Sequence, residues 1–261
     1  MKWNHLEEDK DGILGEIPLV FAGLAMSDDT SSNRRIETSW RLLNASFELS
    51  APNLDSCPDP SMPEIAVAGR SNVGKSSLLN AVMSRAGYAR VSRTPGRTQL
   101  LNFFVLRIQR GSDPALSFRL VDLPGYGFAK APRSIQIGFE SMIAGFLRER
   151  PNLRALLALI DARRGPQTLD IQLLEFAAEH HIPCFVCATK VDKLSPSQRG
   201  VLAKQFAREL DISPRDVLLT SASSGVGIHG DYKQGHLLGE LGNIVTRASI
   251  GVDVSNTISS G

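Results

Sequence analysis

The octapeptide Gly69-Arg70-Ser71-Asn72-Val73-Gly74-Lys75-Ser76 comes directly after the apolar run Ile65-Ala66-Val67-Ala68 and fits the pattern GxxxxGK[ST]. Its glycines let backbone N–H groups turn inward around the phosphates of a nucleotide. Lys75 reaches the β- and γ-phosphates, and the Ser76 hydroxyl is placed to ligate Mg²⁺. A helix beginning at Lys75 adds its positive dipole end to the same spot. A plain glycine turn between a strand and a helix has the same local pattern, so the reading depends on motifs farther along the chain.

Strand-like apolar segments recur at residues 64–68, 100–108, 117–122, 154–161, 182–189 and 216–221, and helix-like stretches at 75–86, 134–149, 168–180, 196–210 and 233–247. Segments 100–108 and 117–122 have no helix between them and are joined by Gly111-Ser112-Asp113-Pro114, a hairpin turn. The pattern predicts an α/β fold: a doubly wound, mostly parallel six-stranded sheet with one antiparallel strand.

Two more motifs sit at strand ends. Asp122-Leu123-Pro124-Gly125 is a DxxG, in which an aspartate can hold Mg²⁺ through water and the glycine N–H can face a γ-phosphate. Thr189-Lys190-Val191-Asp192 matches [NT]KxD, in which a carboxylate accepts from the N1–H and 2-amino group that guanine has and adenine lacks. Adenine would leave that carboxylate unpaired, at a cost of about 1–3 kcal/mol or more. Lys190 is expected along the base, and Ser221-Ala222-Ser223 after the next strand fits the short backbone element that contacts the guanine O6. The order of these motifs predicts a Ras-like P-loop GTPase domain with its ligand at the strand C-termini. An ATP-dependent kinase using the same phosphate loop is disfavoured by Asp192.

The composition sets bounds on the rest. The 261 residues suit one sizeable domain with extensions. Net charge is +2, yet residues 1–60 carry 5 basic and 11 acidic side chains, leaving 24 basic and 16 acidic beyond them. The three cysteines are too few for a disulfide framework and fit a reducing compartment. Cys184 and Cys187 have redox-motif spacing but lie in a strand-like segment, where their thiols would point to opposite faces of a sheet. The histidines show no metal-ligand spacing. No apolar run reaches the ~20 residues that span a bilayer, and residues 1–11 are acidic rather than basic, so a secretory signal is not expected and a cytoplasmic location is. The ends, residues 1–40 and 251–261, have the composition of mobile segments.

With Ser92-Arg93-Thr94-Pro95-Gly96-Arg97-Thr98-Gln99 between the first two motifs, and Tyr126-Gly127 extending the DxxG, the chain resembles the bacterial ribosome-biogenesis GTP-binding proteins called EngB or YsxC. The resemblance covers residues 45–250, leaving 1–44 as an N-terminal extension longer than the family's and 251–261 as a tail outside it; residues 225–235 also look unusual for it. It implies that Thr98 is the switch threonine meeting Mg²⁺ and the γ-phosphate, with Gly96, Arg97, Gln99 and Leu100 in the same loop, and that Lys75, Thr98 and Gly125 carry the catalytic contacts. Arg70, Ser71, Asn72, Val73 and Ser77 belong with the phosphate-loop contacts, as Leu123, Pro124 and Val191 do with theirs. Asn72 corresponds to an asparagine that in related GTPases helps hold K⁺ against the phosphates. Tyr126 stands where many GTPases carry a water-orienting glutamine, so slow intrinsic hydrolysis is expected.

The same resemblance implies a monomer acting on the large ribosomal subunit or its precursor, with effects on cell division and septation. Arg90, Arg93, Arg97, Lys130 and Arg133, flanking the two switch loops, are candidate RNA contacts. Two alternatives stand beside this one. A nucleotide-gated scaffold for division proteins would make ribosome binding incidental, and another RNA-linked GTPase would usually need a second large domain.

Overall fold

The computed structural model describes residues 39–84, 100–127, 133–229 and 236–250, with the side chains of 133–140 and 247–250 left aside. The strands are β1 (Trp40–Ala51), β2 (Glu64–Gly69), β3 (Leu101–Arg110), β4 (Leu116–Asp122), β5 (Leu153–Asp161), β6 (Cys184–Thr189) and β7 (Val217–Leu219). The helices are α1 (Lys75–Val82), α2 (Arg133–Glu149), α3 (Thr168–Glu179), α4 (Pro196–Leu210) and α5 (Leu237–Ile250). All seven strands form one sheet in the order β1-β3-β4-β2-β5-β6-β7.

The sheet is wound on both faces. Every residue of β2 and β6 is buried, as fits continuous apolar runs covered by helices on each side. On one face Ile143, Phe146, Leu173 and Phe206 bring α2, α3 and α4 onto Ala66, Leu156 and Val186. On the other, Leu78, Val82, Leu238 and Leu241 bring α1 and α5 onto Val67, Leu157 and Cys187. Cys184 packs in the first layer and Cys187 in the second, as strand alternation requires. Burial pushes both thiols up to about 12, leaving them inert core groups.

The sheet has seven strands where the sequence pattern predicts six. The added strand, β1, pairs antiparallel with β3, which itself runs antiparallel to β4, so β3 remains the one reversed strand. β1 begins at Trp40, inside the expected extension, so a domain start at residue 45 would cut a paired strand. Trp40 fixes that strand to α5: its Nε1 donates to Asn243 Oδ1 at 3.1 Å, and its ring lies so close over Gly242 that an added Cβ would meet it at 2.4 Å. The β3–β4 hairpin turns where the sequence places it, with Gly111 at φ 51° and Asp113 N–H donating to the Arg110 carbonyl.

At the sheet end away from the strand C-termini lies a knot of buried charge. Glu64 is fully buried and pairs with Arg150 at 2.8 Å, while Arg119 pairs with Glu48 at 2.7 Å and lies 3.5 Å from Glu64. It joins β1, β2 and β4 to the chain after α2, with the Asp59 carbonyl accepting from Arg119.

Candidate functional site

The sheet reverses its winding at β2, and the phosphate loop leaves from that strand's C-terminal end, the crevice where doubly wound folds place ligands. Gly69 admits no side chain: a Cβ there would meet Val73 Cγ1 at 2.9 Å and Leu159 Cβ at 3.0 Å. Asn72 and Gly74 take left-handed backbone, at φ 66° and 104°, and α1 starts directly after with Lys75. Val73 is buried beneath the loop, whereas Asn72 and Ser77 are exposed.

The DxxG loop is stitched to this loop along its backbone. Leu123 N–H donates to the Val67 carbonyl at 3.0 Å and Tyr126 N–H to that of Gly69 at 3.4 Å, while Ser71 N–H donates to the Tyr126 carbonyl at 2.9 Å. Gly125 sits where a Cβ would come within 3.5 Å of the Gly69 carbonyl. Asp122 and Lys75 are both nearly buried and form an ion pair, and Lys75 Nζ also donates to the Leu123 carbonyl at 2.6 Å. The phosphate-loop ammonium is thus held on the carboxylate of the DxxG. Asp122 ends β4 and Ser76 is the second residue of α1, and a carboxylate and a hydroxyl are oxygen donors of the kind a hard cation such as Mg²⁺ takes. Among the described residues no group of three or more His, Cys, Asp or Glu side chains could hold a metal ion.

The strand that ends in the TKxD is tied into the same end. Thr189 Oγ1, almost fully buried, donates to the Val73 carbonyl at 2.7 Å, so the phosphate loop rests on the end of β6. Lys190, left-handed at φ 60°, reaches back to donate to the Asn72 carbonyl at 2.5 Å and to Asp161 Oδ2 at 2.9 Å. Asp192 is held at both oxygens, Oδ1 accepting from the Ser221 hydroxyl at 2.7 Å and Oδ2 pairing with Lys193 at 3.2 Å. The Ser221 bond is the main reason that the carboxyl is lowered to about 2, and it therefore stays ionised. The sequence pattern assigns Ser221 a backbone role; in the fold its side chain orients the Asp192 carboxylate. After it the chain doubles back, Ser221 N–H donating to the Val226 carbonyl, with Ala222 and Ser223 in the turn.

Sequence reasoning missed two carboxylates on the β5–α3 connection. Asp161, at the last position of β5, accepts from Arg163 N and Nε through Oδ1 at 3.0 and 2.9 Å, and from Arg163 Nη2 and Lys190 through Oδ2. Burial would raise its carboxyl, but these bonds outweigh burial and hold it well below the usual range. Asp170, buried in the first turn of α3, accepts from Gln167 N at 3.0 Å and from the Tyr126 hydroxyl at 2.7 Å. Burial, followed by the neighbouring Asp170 charge, raises the Tyr126 phenol well above its ordinary value, so Tyr126 remains a neutral donor locked into the core. An acid closing a strand, and an acid three residues past a helix N-cap, are the only signals the sequence offers for these positions.

The four expected loops, at residues 69–77, 122–125, 189–192 and 221–223, are therefore together at one sheet end. Gly96, Arg97, Thr98 and Gln99, with Arg90, Arg93 and Lys130, lie outside the described residues. Leu100 is described just before β3, half-buried, and Arg133 opens α2.

A phosphate loop on a strand–helix turn, a DxxG and a TKxD on one doubly wound sheet define a P-loop GTPase, and the profile of a family described as "50S ribosome-binding GTPase" matches residues 64–190. The chain is 43% identical over 188 residues to a probable GTP-binding protein EngB of Desulforamulus reducens, covering 72% of this chain and 88% of that one. It is 42% identical over 212 residues to the Rhodospirillum rubrum protein of the same description, covering 79% and 90%. The chain belongs to the EngB family of GTP-binding proteins. Among solved structures, a probable GTP-binding protein EngB superposes with a TM-score of 0.50 at 22% identity, over 72% of this chain and 99% of that one. Era bound to MgGDPNP and nucleotides of 16S ribosomal RNA superposes at 0.52 and 22% identity, over 71% and 56%. Both likenesses show the fold. No helix among the described residues is long and apolar enough to cross a membrane.

Proposed function

We propose that this GTPase binds GTP and GDP with Mg²⁺ at the four loops, hydrolyses GTP slowly, and uses the bound nucleotide to gate its docking on the large ribosomal subunit or its precursor. The observation that carries the nucleotide assignment is Asp192, an ionised carboxylate oriented by Ser221 on a strand end that also supports the phosphate loop through Thr189. In this reading Lys75 leaves Asp122 for the β- and γ-phosphates, which frees the carboxylate to face Mg²⁺ through water while Ser76 and Thr98 ligate the ion. Mg²⁺ supplies charge neutralisation on the phosphate oxygens. Gly125 donates its N–H to the γ-phosphate.

Slow hydrolysis is supported by Tyr126, whose hydroxyl is committed to Asp170 inside the core. No side chain at that position is left to orient an attacking water, so an external activator or an ion must complete the site. K⁺ beside Asn72 is one such ion, tested by comparing hydrolysis in K⁺ and Na⁺ at equal ionic strength.

The ribosomal partner, and with it an effect on division and septation, is supported by the family profile's description and by the excess of basic residues beyond residue 60. Co-sedimentation with purified large subunits at fixed salt, with GDP, GTP or a non-hydrolysable GTP analogue, tests it. Binding that rises with the analogue is expected. Equal or absent binding in every state refutes nucleotide gating and favours a division-protein scaffold.

A further inference from the structure

Lys190 belongs to the guanine-reading motif, yet in the fold it does not stand on that motif alone. Its Nζ is fixed between the Asn72 carbonyl of the phosphate loop at 2.5 Å and Asp161 Oδ2 at 2.9 Å. Asp161 comes from a different strand, 29 residues away, and belongs to none of the four nucleotide motifs. The carboxylate is itself immobilised by its own turn, accepting from the Arg163 backbone at 3.0 Å and from the Arg163 guanidinium at 2.9 and 2.7 Å. Its side chain is only 9% exposed, against 46% for Arg163 and 27% for Lys190, so the guanidinium closes the solvent side of an anchored carboxylate. Lys190 also has strained backbone, at φ 60°. A four-carbon side chain does not hold one conformation by itself.

We propose that Asp161 is a positioning residue for guanine-nucleotide binding: it holds Lys190 extended across the phosphate loop, so that the base-reading and phosphate-reading loops are set in register before the nucleotide arrives. The proposal rests on the nucleotide reading above. It treats the end of β5 as a working part of the site, where the motifs assign only β2, β4, β6 and the loop after β7. The contacts involved are to the base side and to a phosphate-loop carbonyl, which GTP and GDP share, so both nucleotides should feel its loss equally. An acid that merely capped its own turn would act through Arg163 and be indifferent to Lys190.

The test is a double-mutant cycle on the full chain, using Asp161→Asn, Lys190→Met and the pair, with fluorescent GDP and GTP-analogue dissociation and the melting of nucleotide-free protein as readouts. Asp161 lines a cavity of about 500 Å³ together with Ser71, Arg164 and Gln167, so water can solvate the substituted amide and the fold should persist. Asp161→Asn is expected to speed dissociation of both nucleotides about tenfold. In the Lys190→Met background the same change should add less than about twofold, because the two side chains act as one unit. Should Asp161→Asn not fold, Asp161→Ser enters the same cycle with the same expectation. Wild-type dissociation rates in the single variant, or losses that multiply fully in the pair, would overturn the proposal while leaving the nucleotide reading intact. Failure of the unaltered chain to bind guanine nucleotides would remove both.

Discussion

Asp192 concentrates the residue-scale argument. Its oxygens are held by Ser221 and Lys193, and the carboxyl lies near 2, well under the ordinary carboxylate value. A lowered acid contributes its charge fully above the ordinary value and loses it only as pH falls through about 4 toward 2. Guanine-nucleotide affinity should therefore show no step from Asp192 between pH 8 and pH 5. A fall toward pH 5 that disappears in Asp192→Asn would contradict this. The same substitution at neutral pH should weaken GDP by about 100-fold or more, since it replaces a charged acceptor by an amide whose NH₂ offers hydrogens to hydrogens. Competition with xanthine nucleotides checks it: guanine preference unchanged in Asp192→Asn would refute the assignment. Lys75→Ala should abolish tight GTP binding and also lower the melt, because it leaves the nearly buried Asp122 carboxylate without its ammonium; equilibrium titration of GTP at a temperature where the variant is folded decides it. Tyr126→Phe should behave differently again. It strands a buried Asp170 oxygen at about 1–3 kcal/mol, seen as a lowered urea midpoint, with the hydrolysis rate held within about threefold because the phenol takes no part in chemistry.

Among the elements, the loop between β7 and α5 carries the sharpest expectation. Gly227, at φ 69°, is so close to β7 that a Cβ would lie 2.0 Å from the Leu219 carbonyl, and its own carbonyl accepts from Leu237 at the start of α5. Gly227→Ala forces backbone apart at a place where left-handed φ is also required, so a loss of about 2 kcal/mol or more is expected. Chemical denaturation measures it, and a wild-type midpoint would refute the close packing. That loop looks merely unusual in sequence because a glycine forced by a backbone approach 8 residues earlier has no local signature. The same asymmetry runs through the fold. β2, β5 and β6 are legible because a strand buried on both faces reads as an unbroken apolar run. β1 is not, because its burial keeps no period of two: its register slips at Leu42/Asn44 and Phe47/Leu49, and Leu43 and Phe47 remain exposed. In the candidate site, the four motif loops are legible by spacing, since phosphate and guanine recognition would impose their residue types. Asp161 and Asp170 also serve partners 29 and 44 residues away, and no nucleotide motif fixes their residue type, so the sequence marks only their local turn and cap contacts.

Across the whole molecule, the two ends of the sheet separate function from stability. The nucleotide loops occupy the strand C-termini, while the Glu64–Arg119–Arg150–Glu48 knot closes the opposite end of β2 and β4. Glu64 has no exposure, and each of its oxygens accepts from the Arg150 guanidinium, so removing it leaves Arg150 without its carboxylate, while Arg119 keeps Glu48. Breaking a buried pair in this way costs about 3–5 kcal/mol. The penalty belongs to the global fold, because the knot ties β1 and the chain after α2 to the central strand, and between it and the phosphate loop run the buried residues of β2, paired with β5 as far as Gly69 and with β4 as far as Val67. Glu64→Ala is therefore expected to lower the unfolding free energy by about that amount while GDP affinity, measured where the variant is still folded, stays within about twofold. If GDP affinity falls in step with stability, the sheet transmits strain along β2, and the site and its scaffold form a single cooperative unit.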